Sequence, residues 1–213
     1  MDPIVVINPN STVRISGQIS AALRPLESNV PISVVTSSDG PAAIESDQDV
    51  VDAVDPMIGL AKSLEASALV VACFSDPGLE ELRSAVEVPC LGIAESAVMT
   101  AMARARRVGV VSSVDASIPR HARYWNHLGI NDRIVSDVAI GRGVLDLEGQ
   151  EAFADTLRAA RAVVSDGADI VVLGCTGLSH VRSDLEDALD VPVIDPCQAA
   201  VSIAVSALTS KEG

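Results

Sequence analysis

Two stretches of this chain are near-copies of one another, and that duplication limits what it can fold into. The first reads A-L-V-V-A-C-F-S-D-P-G-L-E-E-L-R-S-A-V-E-V-P-C-L-G-I and ends at Ile93; the second reads D-I-V-V-L-G-C-T-G-L-S-H-V-R-S-D-L-E-D-A-L-D-V-P-V-I and ends at Ile194. Each is an apolar run, a Cys, a turn, a helical stretch and a Val-Pro that enters another apolar run. Cys73 lies 16 positions before Pro89, and Cys175 lies 17 before Pro192. Two similar units imply two similar lobes, with one thiol at the same place in each. Such a pair suits a reaction that needs a proton acceptor on one face of a substrate and a proton donor on the other.

The rest of the chain alternates in the same way. Strand patterns fall at 4–8, 32–36, 68–73, 90–93, 108–112, 134–137, 170–174 and 193–194. Helical patterns fall at 11–23, 45–65, 79–86, 95–105, 116–127, 148–165, 178–189 and 197–208, with Ser11 and the Ser117-Ile118-Pro119 run as helix starts. Strands alternating with helices over short connections predict an α/β fold with mainly parallel sheets. Apolar residues make up 48% of the chain and aromatics only 2%, so the core must be built from Val, Ala, Leu and Ile, as suits buried parallel strands. The repeat places a first lobe at 1–95 and a second at 96–195, with a C-terminal helix, 196–213, returning to pack on the first. The lobes are expected to face each other across a cleft.

Composition narrows the partners. A net charge of −14 disfavours nucleic acid phosphates and anionic lipid surfaces, leaving a small molecule as the expected ligand. No apolar run reaches the ~18 residues of a membrane span, and the N-terminus enters a strand pattern at once, without a basic leader. A cytoplasmic location with reduced thiols is the expectation. The four Cys form no C-x-x-C, and the three His are scattered, so no metal site is expected. Nucleotide-binding glycine motifs are absent, and Lys62 and Lys211 are badly placed for a Schiff base, so no cofactor is expected either.

In parallel α/β sheets ligands bind beyond the carboxyl ends of the strands. Asn8, Cys73 and Cys175 each end a strand pattern, as does the 37–41 loop containing Pro41. Backbone N–H groups after each Cys are expected to favour thiolate. Ser75 and Thr176 are helix caps or carbonyl ligands; Gly78 and Gly177 are expected at positive φ and could present N–H donors. Cys90 and Cys197 are expected in the core. His121, Tyr124, Trp125 and His127 read as a packing or subunit-contact face, and His180 as a surface residue.

At this point the residues resemble a known family. Ile7-Asn8-Pro9-Asn10-Ser11-Thr12 resembles the opening motif of the aspartate/glutamate/hydantoin racemase superfamily, in its hydantoin and allantoin racemase branch. Residues 72–79, A-C-F-S-D-P-G-L, resemble that branch's first cysteine motif, and residues 173–178, L-G-C-T-G-L, its second. Residues 92–97 resemble the segment after the first motif, and residues 40–46 the substrate loop; residues 104–147 match loosely. The resemblance implies two pseudo-symmetric α/β lobes and cofactor-independent racemisation of 5-substituted hydantoins, allantoin among them. It implies Cys73 and Cys175 as the acid–base pair, binding by Asn8, Pro41, Phe74, Ser75, Thr176 and Gly177, and a homo-oligomer. Phe74 stands where the superfamily's amino-acid racemases tend to carry a polar side chain, which fits a neutral ring. The related arylmalonate decarboxylases keep one of the two cysteines. Maleate isomerases keep both and remain a rival, as do an amino-acid racemase, a non-catalytic binding protein and a thiol redox sensor.

Overall fold

In the computed structural model, which describes residues 2–27 and 30–209, eight strands form two four-stranded sheets. The first contains β1 (Ile4–Asn8), β2 (Ile32–Thr36), β3 (Ala68–Val71) and β4 (Cys90–Gly92) in the order β2-β1-β3-β4. The second contains β5 (Val108–Ser112), β6 (Ile134–Ala139), β7 (Ile170–Leu173) and β8 (Val193–Ile194) in the order β6-β5-β7-β8. Every pairing is parallel. The two orders are the same, shifted by four strands, which is the architecture that the near-repeat implies. The strands that lead into Cys73 and Cys175, β3 and β7, each occupy an inner position. β1, β3 and β7 are buried along their full length, which explains their unbroken Val, Ile and Leu runs.

The helices are α1 (Val13–Leu23), α2 (Asp47–Asp52), α3 (Val54–Ala61), α4 (Leu79–Ala85), α5 (Ile93–Arg104), α6 (Ser117–His127), α7 (Gln150–Ser165), α8 (Arg182–Ala188) and α9 (Pro196–Thr209). The helix expected over 45–65 is two. Pro56 has no N–H to give to the Asp52 carbonyl, so the α2 hydrogen-bond ladder cannot run on into α3. The helix expected from 178 begins instead as a 3-10 segment, Thr176–Val181. Ser11 is not a cap: Thr12 holds that position, without a side-chain bond to the helix.

One contiguous core runs through both lobes. Ile4 and Val6 of β1, Ile93 and Ala97 of α5, Val108 and Val110 of β5, Val172 of β7 and Ala200 of α9 all belong to it. The other face of the first sheet has a separate small core, in which Val5, Ile7 and Val71 pack on Met57, Leu79 and Leu82. Cys197 is fully buried in the shared core and Cys90 lies in the small one. α9 packs on α5 and α1, while residues 210–213 of the expected C-terminal helix lie outside the described residues. No helix among the described residues is long and apolar enough to cross a membrane.

Candidate active site

β3 and β7 each end two positions before their cysteine, at Val71 and Leu173, and the chain then turns after Cys73 and Cys175. Both thiols line a single cavity between the lobes, with the backbone of Ala72 and Gly174 beside them. All four cysteines are free. Cys175 is buried and Cys73 is partly exposed to the cavity.

Burial sets the protonation of both thiols. It pushes Cys73 up to about 12, although the Ser75 N–H and the Arg120 charge act in the opposite direction. It pushes Cys175 up to about 11, against the Gly177 N–H and the Ser113 hydroxyl. The expectation that the turn N–H groups would favour thiolate is therefore corrected. The donors are present, but loss of water around sulfur outweighs them. A thiolate in this cavity needs further help, from substrate or from charge.

The expected binding residues divide. Phe74, Ser75 and Thr176 line the cavity with the thiols. Asn8 does not. It is fully buried in the β1–α1 turn, where Nδ2 donates to Asn10 Oδ1 at 3.0 Å and to Ser16 Oγ at 3.1 Å. Those bonds turn Asn10, rather than Asn8, toward the cavity. Pro41 does not line it either; its carbonyl accepts from the Ser11 N–H at 2.9 Å, and Ile44 of the same loop reaches the cavity. Gly177 sits behind Cys175 rather than on the lining. Its φ is not positive, unlike that of Gly78 at 63°. A Cβ there would come within 2.7 Å of Leu147 Cδ1, so a side chain would require Leu147 to move aside.

Helix α6 supplies what the sequence reading assigned to packing. Arg120 and His121 are both buried and both line the cavity. Arg120 Nε donates to Ser75 Oγ at 2.9 Å, Nη2 to Ser117 Oγ at 3.1 Å and Nη1 to Asp47 Oδ1 at 3.2 Å. His121 Nδ1 donates to Asp137 Oδ2 at 2.8 Å, and Ser112 Oγ donates to Asp137 Oδ1 at 2.5 Å. The Phe74 ring meets His121 edge-on at 5.2 Å and Trp125 at 6.0 Å. Residues 117, 120, 121 and 124 share one face by helical spacing, which is the signal that could have found them. His180 is exposed, with Nδ1 2.9 Å from the Gly177 carbonyl.

Asp76, after the Cys73 turn, anchors this arrangement. It adopts a left-handed φ of 43° and is buried. Its carboxylate accepts from the Ala94 and Glu95 N–H groups at the start of α5, both at 2.9 Å, and from the Tyr124 hydroxyl at 3.0 Å. One side chain thus ties the Cys73 turn to α5 and to α6. Burial pushes its carboxyl up to about 7 despite the three donors.

Comparison with known proteins gives the family and the fold. The Asp/Glu/Hydantoin racemase family profile matches residues 4–204. A hydantoin racemase from Rhizobium meliloti is 35% identical over 212 residues, covering 96% of this chain and 88% of its own. An allantoin racemase from Klebsiella pneumoniae superposes with a TM-score of 0.92 at 29% identity, over 99% of this chain and 89% of its own. A glutamate racemase from Bacillus anthracis, 18% identical, shares the fold with a TM-score of 0.76 over 100% of this chain and 83% of its own.

Proposed function

The chain belongs to the Asp/Glu/Hydantoin racemase family and is a racemase-type isomerase, and within that family we propose that it interconverts the enantiomers of 5-substituted hydantoins, allantoin among them. The observation that carries the proposal is the pair of thiols, at equivalent places in two lobes, lining one cavity. The C5–H of a hydantoin lies next to a carbonyl, so its removal gives an enolate. One cysteine takes the proton as thiolate while the other, as thiol, delivers a proton to the opposite face. The roles reverse for the other enantiomer. Ser75, Thr176 and the N–H groups of the two turns hold the oxygens as charge develops.

A neutral ring fits this lining better than an α-amino acid. An ammonium group needs a carboxylate partner when buried, and no Asp or Glu lines the cavity. The proposal extends to a cytoplasmic homo-oligomer working without a cofactor, its assembly readable by light scattering. Polarimetry of single enantiomers of allantoin and of alkyl and aryl hydantoins, corrected for spontaneous racemisation, tests the activity. Enzyme-dependent loss of rotation for at least one supports it. No effect on any, with turnover of maleate or of an amino acid, overturns it.

A further inference from the structure

The one formal charge on the cavity lining, that of Arg120, is opposite in sign to the net charge of the chain. The protein carries 29 acidic and 15 basic residues, yet the cavity lining includes Arg120 and His121 and no Asp or Glu. Both are buried within the fold, the Arg120 side chain at 10% exposure and that of His121 at 2%. Charge is seldom buried without a counter-charge, so where the acidic partners of Arg120 lie decides what the cavity can hold.

Arg120's one acidic partner is Asp47, at the rim, 65% exposed and shared with Arg123. Its other two partners are the neutral hydroxyls of Ser75 and Ser117. A guanidinium carries five N–H groups, and these three bonds leave two of Arg120's unused. The other carboxylates nearby are occupied elsewhere. Glu45 accepts from the Val144 N–H at 2.7 Å, Asp76 from α5 and Tyr124, and Asp137 lies behind His121 on the Nδ1 side. His121 Nε2 has no partner among the described residues. Asn10 Oδ1 accepts from Asn8 and Thr12, and its Nδ2 is likewise unpartnered. Arg120, His121 and Asn10 thus line the space beside the thiols with N–H groups or a ring nitrogen unused, and the one counter-charge on Arg120 is Asp47 at the exposed rim.

From this lining we infer that the 5-substituent of the preferred hydantoin carries a carboxylate, and that Arg120 is the residue that reads it. The inference rests on the hydantoin reading and deepens it. A carboxylate takes a guanidinium in paired, charge-assisted bonds that a neutral substituent cannot match. Bonds to a charged partner make the expected preference about 10- to 100-fold in kcat/KM. Arg120 acts here as a specificity residue, not as an acid or base.

The test compares 5-(carboxymethyl)hydantoin with its near-isosteric neutral amide, 5-(carbamoylmethyl)hydantoin, by C5–H exchange in D2O. Wild-type protein should favour the carboxylate by about tenfold or more. Arg120→Gln should bring the ratio of the two kcat/KM values close to one, mainly through a raised KM for the carboxylate. If Arg120→Gln fails to fold by circular dichroism, Arg120→Lys decides: it keeps the charge but loses the paired bonds, so its carboxylate preference must fall below that of wild type, and an unchanged preference overturns the inference. A wild-type ratio at or below one overturns the inference, and so does an equal loss on both substrates in Arg120→Gln. Exchange of the amide without carboxylate preference leaves the hydantoin reading standing; exchange of no hydantoin at all removes both.

Discussion

Cys73 and Cys175 are held as thiols by the same burial that brings them together, and this decides how the activity must respond to pH. With the two pushed up to about 12 and about 11, the thiolate fraction of either grows tenfold per pH unit through the neutral range. If one thiolate must be present to take the C5 proton, kcat/KM for a hydantoin should climb from pH 6 to pH 9, after correction for the uncatalysed rate. A flat profile over that range would contradict the assignment. Removing either sulfur, as Cys73→Ala or Cys175→Ala, should lower racemisation by about 10²- to 10⁴-fold. The two thiols were legible in the sequence because they repeat, and Phe74, Ser75 and Thr176 because they sit beside them. Asn10, Arg120 and His121 were not. Asn10 and Asn8 are equivalent in a turn-forming motif until the hydrogen bonds show which one is consumed. Arg120 and His121 are remote in sequence from either cysteine, and only the packing of α6 across the first lobe makes them part of the cavity.

Among the elements, α6 is joined to the first lobe by polar contacts at both ends of its inner face. Asp47 accepts from Arg120 and Arg123, and Asp76 accepts from Tyr124. The Asp76 junction also caps α5, so its loss should be felt as stability. Asp76→Ala leaves two N–H groups and a hydroxyl without their acceptor, at a cost of about 1 to 3 kcal/mol in chemical denaturation. The pH dependence has a definite sign. The folded-state value, about 7, lies above the ordinary 3.8. The stabilisation from protonated Asp76 is therefore complete below about pH 3.8 and is lost as pH rises through about 7. Between those limits the unfolding free energy of wild type should carry a downward slope that Asp76→Asn lacks; identical slopes would place the titration elsewhere. Element boundaries inside regular alternation were readable, whereas the α2–α3 break and the 3-10 segment after Cys175 depend on a proline and on the tight turn around Gly177.

At the scale of the molecule, two sheets of the same order are joined by a core that neither lobe completes alone. α5 leaves β4 of the first sheet and packs on β7 of the second, and α9 lies against α5, α1 and the 3-10 segment after Cys175. The lobes should therefore unfold together. Trp125, the one tryptophan, is 2% exposed and stacks among Phe74, His121 and Tyr124 where the lobes meet. Its fluorescence should lose native character at the same denaturant concentration as the far-ultraviolet circular dichroism signal; an earlier fluorescence transition would mean that the lobes part before either melts. The duplicated fold carries the central claim, since it presents one thiol from each half to a common space. That claim is tested most directly by racemising one enantiomer of a 5-substituted hydantoin in D2O and stopping at low conversion. If two groups act from opposite faces, the product should contain solvent deuterium at C5 while recovered substrate stays nearly all protium. Deuterium appearing equally in both, or product retaining the substrate's own hydrogen, would mean that a single group carries the proton across, and the two-thiol account would be wrong.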